Sequence, residues 1–137
     1  MEMIERTLGG MLDDLAENYS NSVAIKYTTR EYQKNWSELN ERCNAVAKGL
    51  LSLGIKKDDK VAIWATNVPE WYEILFASAK IGAILVTVNT NYKEFELEYL
   101  LKQSDTKMLV MIEGVKNISY VDRIVKLLRE FSNSKNG

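Results

Sequence analysis

Lys60-Val-Ala-Ile-Trp64-Ala-Thr-Asn67-Val-Pro69-Glu-Trp71-Tyr72-Glu-Ile-Leu-Phe-Ala-Ser-Ala-Lys80-Ile-Gly82-Ala-Ile-Leu-Val-Thr-Val88-Asn89-Thr90-Asn91-Tyr92 reads as one strand–helix–strand unit. Val61–Ala65 and Ala83–Val88 are apolar runs of strand length, nearly continuous rather than alternating, as expected of strands covered on both faces. Between them, Pro69 suits the first turn of a helix, where its missing N–H costs nothing, and Asn67 can cap that turn. Gly82 can close the same helix near Ile81 in the left-handed conformation. Two such strands joined by a helix form a parallel pair with a right-handed crossover.

The alternation continues downstream, with a helix over about Glu94–Ser104, a strand over Met108–Ile112 and a helix over about Tyr120–Phe131. Upstream, Leu8, Met11, Leu12, Leu15 and Ala16 recur at helical spacing behind a capping Thr7. Val23–Tyr27 and Tyr32–Trp36 then form a hairpin through Thr28-Thr29-Arg30-Glu31. Ser37 can cap a long helix whose apolar stripe is Leu39, Cys43, Val46, Ala47, Leu50 and Leu53. Gly54 stops it, with Ile55 folding back on the last turn. The expected fold is therefore α/β: three layers, a mainly parallel sheet flanked by helices, and an extra N-terminal β-hairpin. Residues 1–131 are expected to form a single domain, and 132–137 a polar tail.

Composition excludes several functions. The 137 residues carry 18 basic and 19 acidic side chains scattered along the chain, so no electrostatic footprint for nucleic acid or anionic membrane is visible. The most apolar run, Ile74–Val88, is shorter than the roughly 20 residues a transmembrane helix needs and contains Lys80 and Gly82. One cysteine allows no internal disulfide, and the first residues lack a secretion pattern, so the cytoplasm is the expected compartment. There is no histidine, hence no imidazole base or ligand. Neither Cys-x-x-Cys nor His-Glu-x-x-His occurs, and no Gly-rich phosphate loop or Gly-x-Gly-x-x-Gly turn is present. No metal or cofactor is expected to be held by these residues themselves.

Cys43 lies on the apolar stripe and is expected to be an inert core thiol. Asp58 and Asp59 sit among Lys56, Lys57 and Lys60 as a solvated turn rather than a metal pair. Trp64, Trp71 and Tyr72 are expected to pack in the core rather than to stack on a ligand. Open α/β sheets bind ligands at the carboxyl ends of parallel strands, which gives Thr66, Asn67, Asn89 and Asn91 some functional weight. No catalytic residue is assigned; Asn89, Thr90, Asn91 and Tyr92 are the candidates to line a pocket.

Motif spelling goes further. The order of helix, hairpin, Trp36-Ser37-Glu38-Leu39, a long helix ending in Leu53-Gly54-Ile55, an acidic turn, Val61-Ala62-Ile63, Asn67-x-Pro69-Glu70-Trp71, Lys80-x-Gly82-Ala83 and Val86-Thr87-Val88-Asn89 resembles the N-terminus of acyl-CoA synthetases. These belong to the AMP-binding, adenylate-forming superfamily. The resemblance is collinear from Thr7 to about Tyr120. Thr87 and Thr90 stand where the family commonly has proline, which leans toward medium-chain fatty-acyl-CoA synthetases.

That resemblance implies a parent enzyme that joins a carboxylic acid to AMP at the expense of ATP, with magnesium, and passes the acyl group to coenzyme A. The family's phosphate loop, magnesium-binding acid, ribose-binding aspartate and C-terminal lysine have no counterpart here, so these residues by themselves are expected to be inactive and incomplete. Their expected partner is the remainder of a synthetase, and self-association through surfaces left uncovered is a further expectation. The competing reading is a freestanding α/β binding module or a truncated paralogue that pairs with a full-length synthetase. A receiver-type module fits poorly, because Thr66-Asn67 and Glu113-Gly114 stand where its acids would be.

Overall fold

The structure is a computed structural model and describes residues 5–134. The chain packs as two units. One joins the chain up to Asp58 with Tyr72–Ile84, and the other joins Asp59–Trp71 with the chain from Leu85 onward.

In the first unit, α1 (Leu8–Asn18) begins as expected, with the Thr7 hydroxyl accepting from Gly10 N at 3.0 Å. β1 (Val23–Tyr27) and β2 (Tyr32–Asn35) form an antiparallel hairpin. The next helix, α2 (Trp36–Ser52), corrects one expectation, since its cap is Asn35 and not Ser37. Asn35 Oδ1 accepts from Glu38 N at 2.8 Å while Glu38 returns a carboxylate to Asn35 N at 2.9 Å. This reciprocal pair satisfies two otherwise orphaned amides, and it moves the helix start two residues earlier than the hydroxyl of Ser37 suggested.

At its other end α2 stops as the sequence indicates. Gly54 has φ 85°, Gly54 N donates to Leu51 O and Ile55 N to Leu50 O, both at 3.0 Å, the paired bonds of a Schellman closure. Leu39, Cys43, Ala47 and Leu50 are buried on one face. Leu53, expected on that stripe, is 69% exposed because it sits past the last helical turn. Leu12, Leu39 and Cys43 form the core of this unit, with Ala24, Trp36 and Phe76 packed around them. A fully buried leucine of this kind contributes about 1.5–3 kcal/mol.

In the second unit, β3 (Lys60–Trp64) lies between β4 (Ile84–Thr87) and β5 (Thr106–Met111). β3 and β5 run parallel, with Ala62 opposite Leu109 and Trp64 opposite Met111. Val61 and Ile63 are buried as completely as Ala62 and Trp64, so both faces of β3 are covered, as its unbroken apolar spelling requires. α3 (Pro69–Lys80) and β4 each cross from one unit to the other, at Trp71/Tyr72 and Ile84/Leu85. Pro69 opens α3 as expected. Gly82, with φ 72°, closes α3 through bonds from Gly82 N to Ala79 O and Ala83 N to Ser78 O.

α4 (Glu94–Gln103) and α5 (Tyr120–Ser134) complete this unit, whose core is Ala62, Trp64, Val88, Leu97, Tyr120 and Leu127. A small antiparallel hairpin, β6 (Gly114–Val115) with β7 (Ile118–Ser119), adds to the expected elements. It turns on Lys116-Asn117, with Lys116 at φ 54°. The expected polar tail at 132–137 begins inside α5, because no glycine or proline stops the helix before Ser134; 135–137 lie outside the described residues. Among the described residues no helix is long and apolar enough to cross a membrane.

Candidate functional site

The four sequence candidates, Asn89, Thr90, Asn91 and Tyr92, form the loop between β4 and α4, at the carboxyl end of β4. Three side chains from outside the loop each hold one of its carbonyls. Trp64 Nε1 donates to Asn89 O at 3.1 Å, Tyr120 Oη donates to Thr90 O at 2.8 Å, and the Arg123 guanidinium donates to Tyr92 O. The loop also closes on itself, with Asn91 N donating to Asn89 Oδ1 at 2.9 Å and Tyr92 N to Asn89 O at 3.1 Å. Asn89 therefore builds an Asx turn. Its side chain and that of Asn91 are exposed, while Thr90 and Tyr92 are half-buried.

The bond from Trp64 to Asn89 ties the carboxyl end of β3 to that of β4, so Ala65-Thr66-Asn67 leaves the sheet at the same end as the candidate loop. This is the end at which open parallel sheets bind ligands. Burial holds the Tyr120 hydroxyl above its ordinary range, which keeps it a protonated donor at neutral pH. The sequence marks Tyr120 only as a helix start and gives no signal at Arg123. Neither has a spacing signal, because each acts on a backbone carbonyl some thirty residues away, as the separations of 30 and 31 residues show.

The helix ends near this sheet edge are chemically unsuited to polyphosphate. Pro69 removes an amide from the start of α3, and the first turns of α3, α4 and α5 carry Glu70, Glu94 with Glu96, and Asp122. Glu96 accepts from Lys93 N at 2.9 Å. A hydrogen bond from its own backbone amide, helped by Lys126 and Arg123, holds Glu94 below the usual carboxylate range. These helix dipoles are already answered by the chain's own carboxylates, which would repel a triphosphate. No group of three or more potential metal-ligating side chains occurs among the described residues. The first turns of α3, α4 and α5 are therefore poor seats for a triphosphate.

The other sequence candidates are placed plainly. Cys43 is buried, and burial first, with Glu73 second, pushes its thiol up to about 11. Asp58 sits at φ 68° in an exposed turn and Asp59 pairs with Lys107 at 2.8 Å. Trp64 is fully buried as expected, but Trp71 is half-buried and Tyr72 is 36% exposed. Consecutive helical positions point about 100° apart, so Trp71 and Tyr72 cannot both face one core.

The AMP-binding enzyme profile matches residues 12–135. The chain belongs to the AMP-binding enzyme family. Within that family it is 43% identical over 136 residues to YngI of Bacillus subtilis, provisionally named an acyl-CoA synthetase, covering 99% of this chain and 25% of YngI. It is 31% identical over 135 residues to the rat medium-chain acyl-CoA ligase ACSF2, covering 98% of this chain and 22% of that protein. Among solved structures, the N-terminal domain of FACL13 from Mycobacterium tuberculosis superposes with a TM-score of 0.75 at 27% identity, over 77% of this chain and 27% of that one. The N-terminal subdomain of Klebsiella oxytoca NpsA does so at 0.74 and 27% identity, over 81% and 29%. The chain thus spans about a quarter of the length of the curated relatives it matches. The α/β architecture with its parallel sheet and flanking helices is that of the N-terminal parts of adenylate-forming enzymes.

Proposed function

We propose that these residues are the N-terminal scaffold of an acyl-CoA synthetase. In the reaction assigned to the whole enzyme, a carboxylate oxygen of a fatty acid attacks the α-phosphorus of ATP and pyrophosphate leaves. The thiolate of coenzyme A then attacks the acyl carbonyl and AMP leaves. The observation that carries this reading is the match of nearly the whole chain to acyl-CoA ligases at 31% identity or better. The medium-chain leaning rests on Thr87 and Thr90 and on the name of ACSF2.

In this reading the 137 residues catalyse nothing alone, since the groups that meet phosphate are supplied elsewhere in the enzyme. Asn89, Thr90, Asn91 and Tyr92 line the acyl-adenylate pocket, on a loop whose conformation Trp64, Tyr120 and Arg123 set. The test is a chimera in which this chain replaces the matching part of YngI. It should retain fatty-acid-dependent ATP–pyrophosphate exchange, and the 137 residues alone should show none. Exchange by the isolated chain, or a chimera that folds but is inert with every fatty acid, overturns the proposal.

A further inference from the structure

Three side chains of α5, spaced about one turn apart, engage the candidate loop and the start of α4 in order. Tyr120 Oη donates to Thr90 O at 2.8 Å, the Arg123 guanidinium donates to Tyr92 O, and Lys126 Nζ lies 3.6 Å from the Glu94 carboxylate. Positions 120, 123 and 126 thus meet positions 90, 92 and 94, since helical side chains three apart are neighbours on the surface. Two of the three contacts are made to backbone carbonyls. They therefore fix the path of the loop whatever side chains it carries.

α5 is itself fixed where these contacts begin. Tyr120 N donates to Glu113 O at 2.9 Å, and Asp122 N donates to the Ser119 hydroxyl at 3.1 Å, a side-chain cap on the first turn. Gly114 lets the hairpin before α5 close, since a Cβ there would stand 2.2 Å from Ile118 O. Ile112 N in turn donates to Trp64 O at 3.3 Å, which ties the chain leading into α5 to the sheet end from which the loop departs.

The three contacts are not equivalent. Tyr120 is fully buried and stacked on Trp64, so it serves the core as well as the loop. Lys126 is 61% exposed, and an ion pair at that exposure holds little. Arg123 is half-buried, lies outside the core cluster and makes a charge-assisted bond to the carbonyl at the loop's far end. We propose that Arg123 is a positioning residue for acyl-chain selection: by holding the Tyr92 carbonyl it sets the path of residues 89–92, and with it the shape of the wall they present to the alkyl chain of the fatty acid. This deepens, and rests on, the reading that the loop lines the acyl-adenylate pocket. Arg123 touches no reacting atom in that reading. Loss of its bond changes which chains bind and how tightly, and leaves the chemical step alone.

The test uses the chimera with the rest of YngI and saturated fatty acids of graded length. Arg123→Met keeps the aliphatic stem and removes the donors. It should raise KM for the preferred acid at least about 10-fold and change the ratio of kcat/KM between acids one or two methylenes apart by at least about 10-fold, the discrimination a fitted apolar pocket draws from one methylene. Both kcat and KM for ATP should stay within about two-fold. Arg123→Lys keeps a charged donor and should recover part of the chain-length profile, whereas a variant that merely weakened the fold would lower activity toward every acid alike. An unchanged profile in Arg123→Met, or an equal loss for all acids without recovery in Arg123→Lys, overturns the proposal. Asn91→Trp, a direct change in the loop, separates the two readings. If it alters chain-length preference and Arg123→Met does not, the loop lines the pocket and the positioning role fails; if neither does, the pocket-lining reading falls and takes the positioning role with it.

Discussion

The indole of Trp64 lies flat against the ring of Tyr120, with centroids 3.8 Å apart and planes 6° from parallel. Both rings are fully buried, and each spends its polar atom on the same loop, Trp64 on the carbonyl of Asn89 and Tyr120 on that of Thr90. The stack is thus the rigid base on which the candidate pocket loop is held. Tyr120→Phe keeps the ring and removes only the donor, so it should cost about 1–2 kcal/mol in urea unfolding. Trp64→Phe removes a donor and leaves a void, and should cost more than about 2 kcal/mol. Amide exchange of Asn91 and Tyr92 should speed up in both. Wild-type stability and exchange in Tyr120→Phe would show that the loop holds its shape without the clamp.

Glu73 offers a second test, within the other unit. Glu73 is 4% exposed, and its carboxylate receives two bonds from Arg42 at 2.9 and 3.2 Å and accepts a longer one from Tyr32 Oη at 3.4 Å. Arg42 is itself 52% exposed, so the pair is worth less than a fully buried one, but removing the cation strands a desolvated charge. Arg42→Ala should therefore cost about 1–3 kcal/mol, and Glu73→Gln in the Arg42→Ala background should recover part of it. Equal unfolding midpoints for Arg42→Ala and wild type would refute the clamp.

Most of the fold was legible because apolar spelling and punctuation agreed. Val61–Ala65 reads as a two-faced strand, and Gly54 and Gly82 stop helices through the bonds their positions suggest. The misses share a cause. Asn35, Tyr120 and Arg123 act through hydrogen bonds to backbone groups, which leave no periodicity in the side-chain pattern. Asn35-x-x-Glu38 spells a capping box, and it prevails over the hydroxyl of Ser37 as the helix start. The candidate loop lies at a strand's carboxyl end, as its position after an apolar run indicates, while the three residues that hold it come from β3 and α5 and only the fold brings them together.

Cys43 makes the alkaline limb testable. Burial favours its thiol over its thiolate, so the folded value of about 11 lies above the unfolded value, near 8.5. The stability this represents is fully present below the unfolded value and is lost as pH rises from there through about 11. Stability should therefore fall across that window, and less steeply in Cys43→Ala than in the native chain. At pH 8 iodoacetamide should label Cys43 only after urea is added. Rapid labelling of the folded chain would contradict an inert core thiol.

Asp13 reports the opposite sign at acid pH. A hydrogen bond from Lys80, at 2.5 Å, is the main cause that holds its carboxyl below the usual range, with Asn40 assisting at 3.1 Å. Its contribution is present above the unfolded value, near 4, and is lost as pH falls through the lower folded value. Carboxyl-detected NMR titration should find Asp13 back in the usual range in Lys80→Met. An unchanged titration curve would remove Lys80 as the cause.

Two helical glycines should respond to alanine with opposite signs. Gly49, in α2, has nothing within 4 Å of where a Cβ would stand, so Gly49→Ala should stabilise by about 0.5–1 kcal/mol through lower unfolded-state entropy and better helix propensity. Gly9, in α1, gains the same propensity, but its Cβ would meet Lys80 Cγ at 2.9 Å and Lys80 Cα at 3.0 Å. The first contact is a flexible side chain that can yield. The second is backbone of α3, so α1 must move away from the helix whose lysine also binds Asp13. Gly9→Ala should therefore destabilise by about 1–3 kcal/mol, the range of an overpacked core, and should also loosen the Lys80 bond enough to raise the Asp13 titration. Thermal unfolding of the two variants side by side decides it, since equal shifts of the same sign would mean that α1 and α3 do not approach so closely.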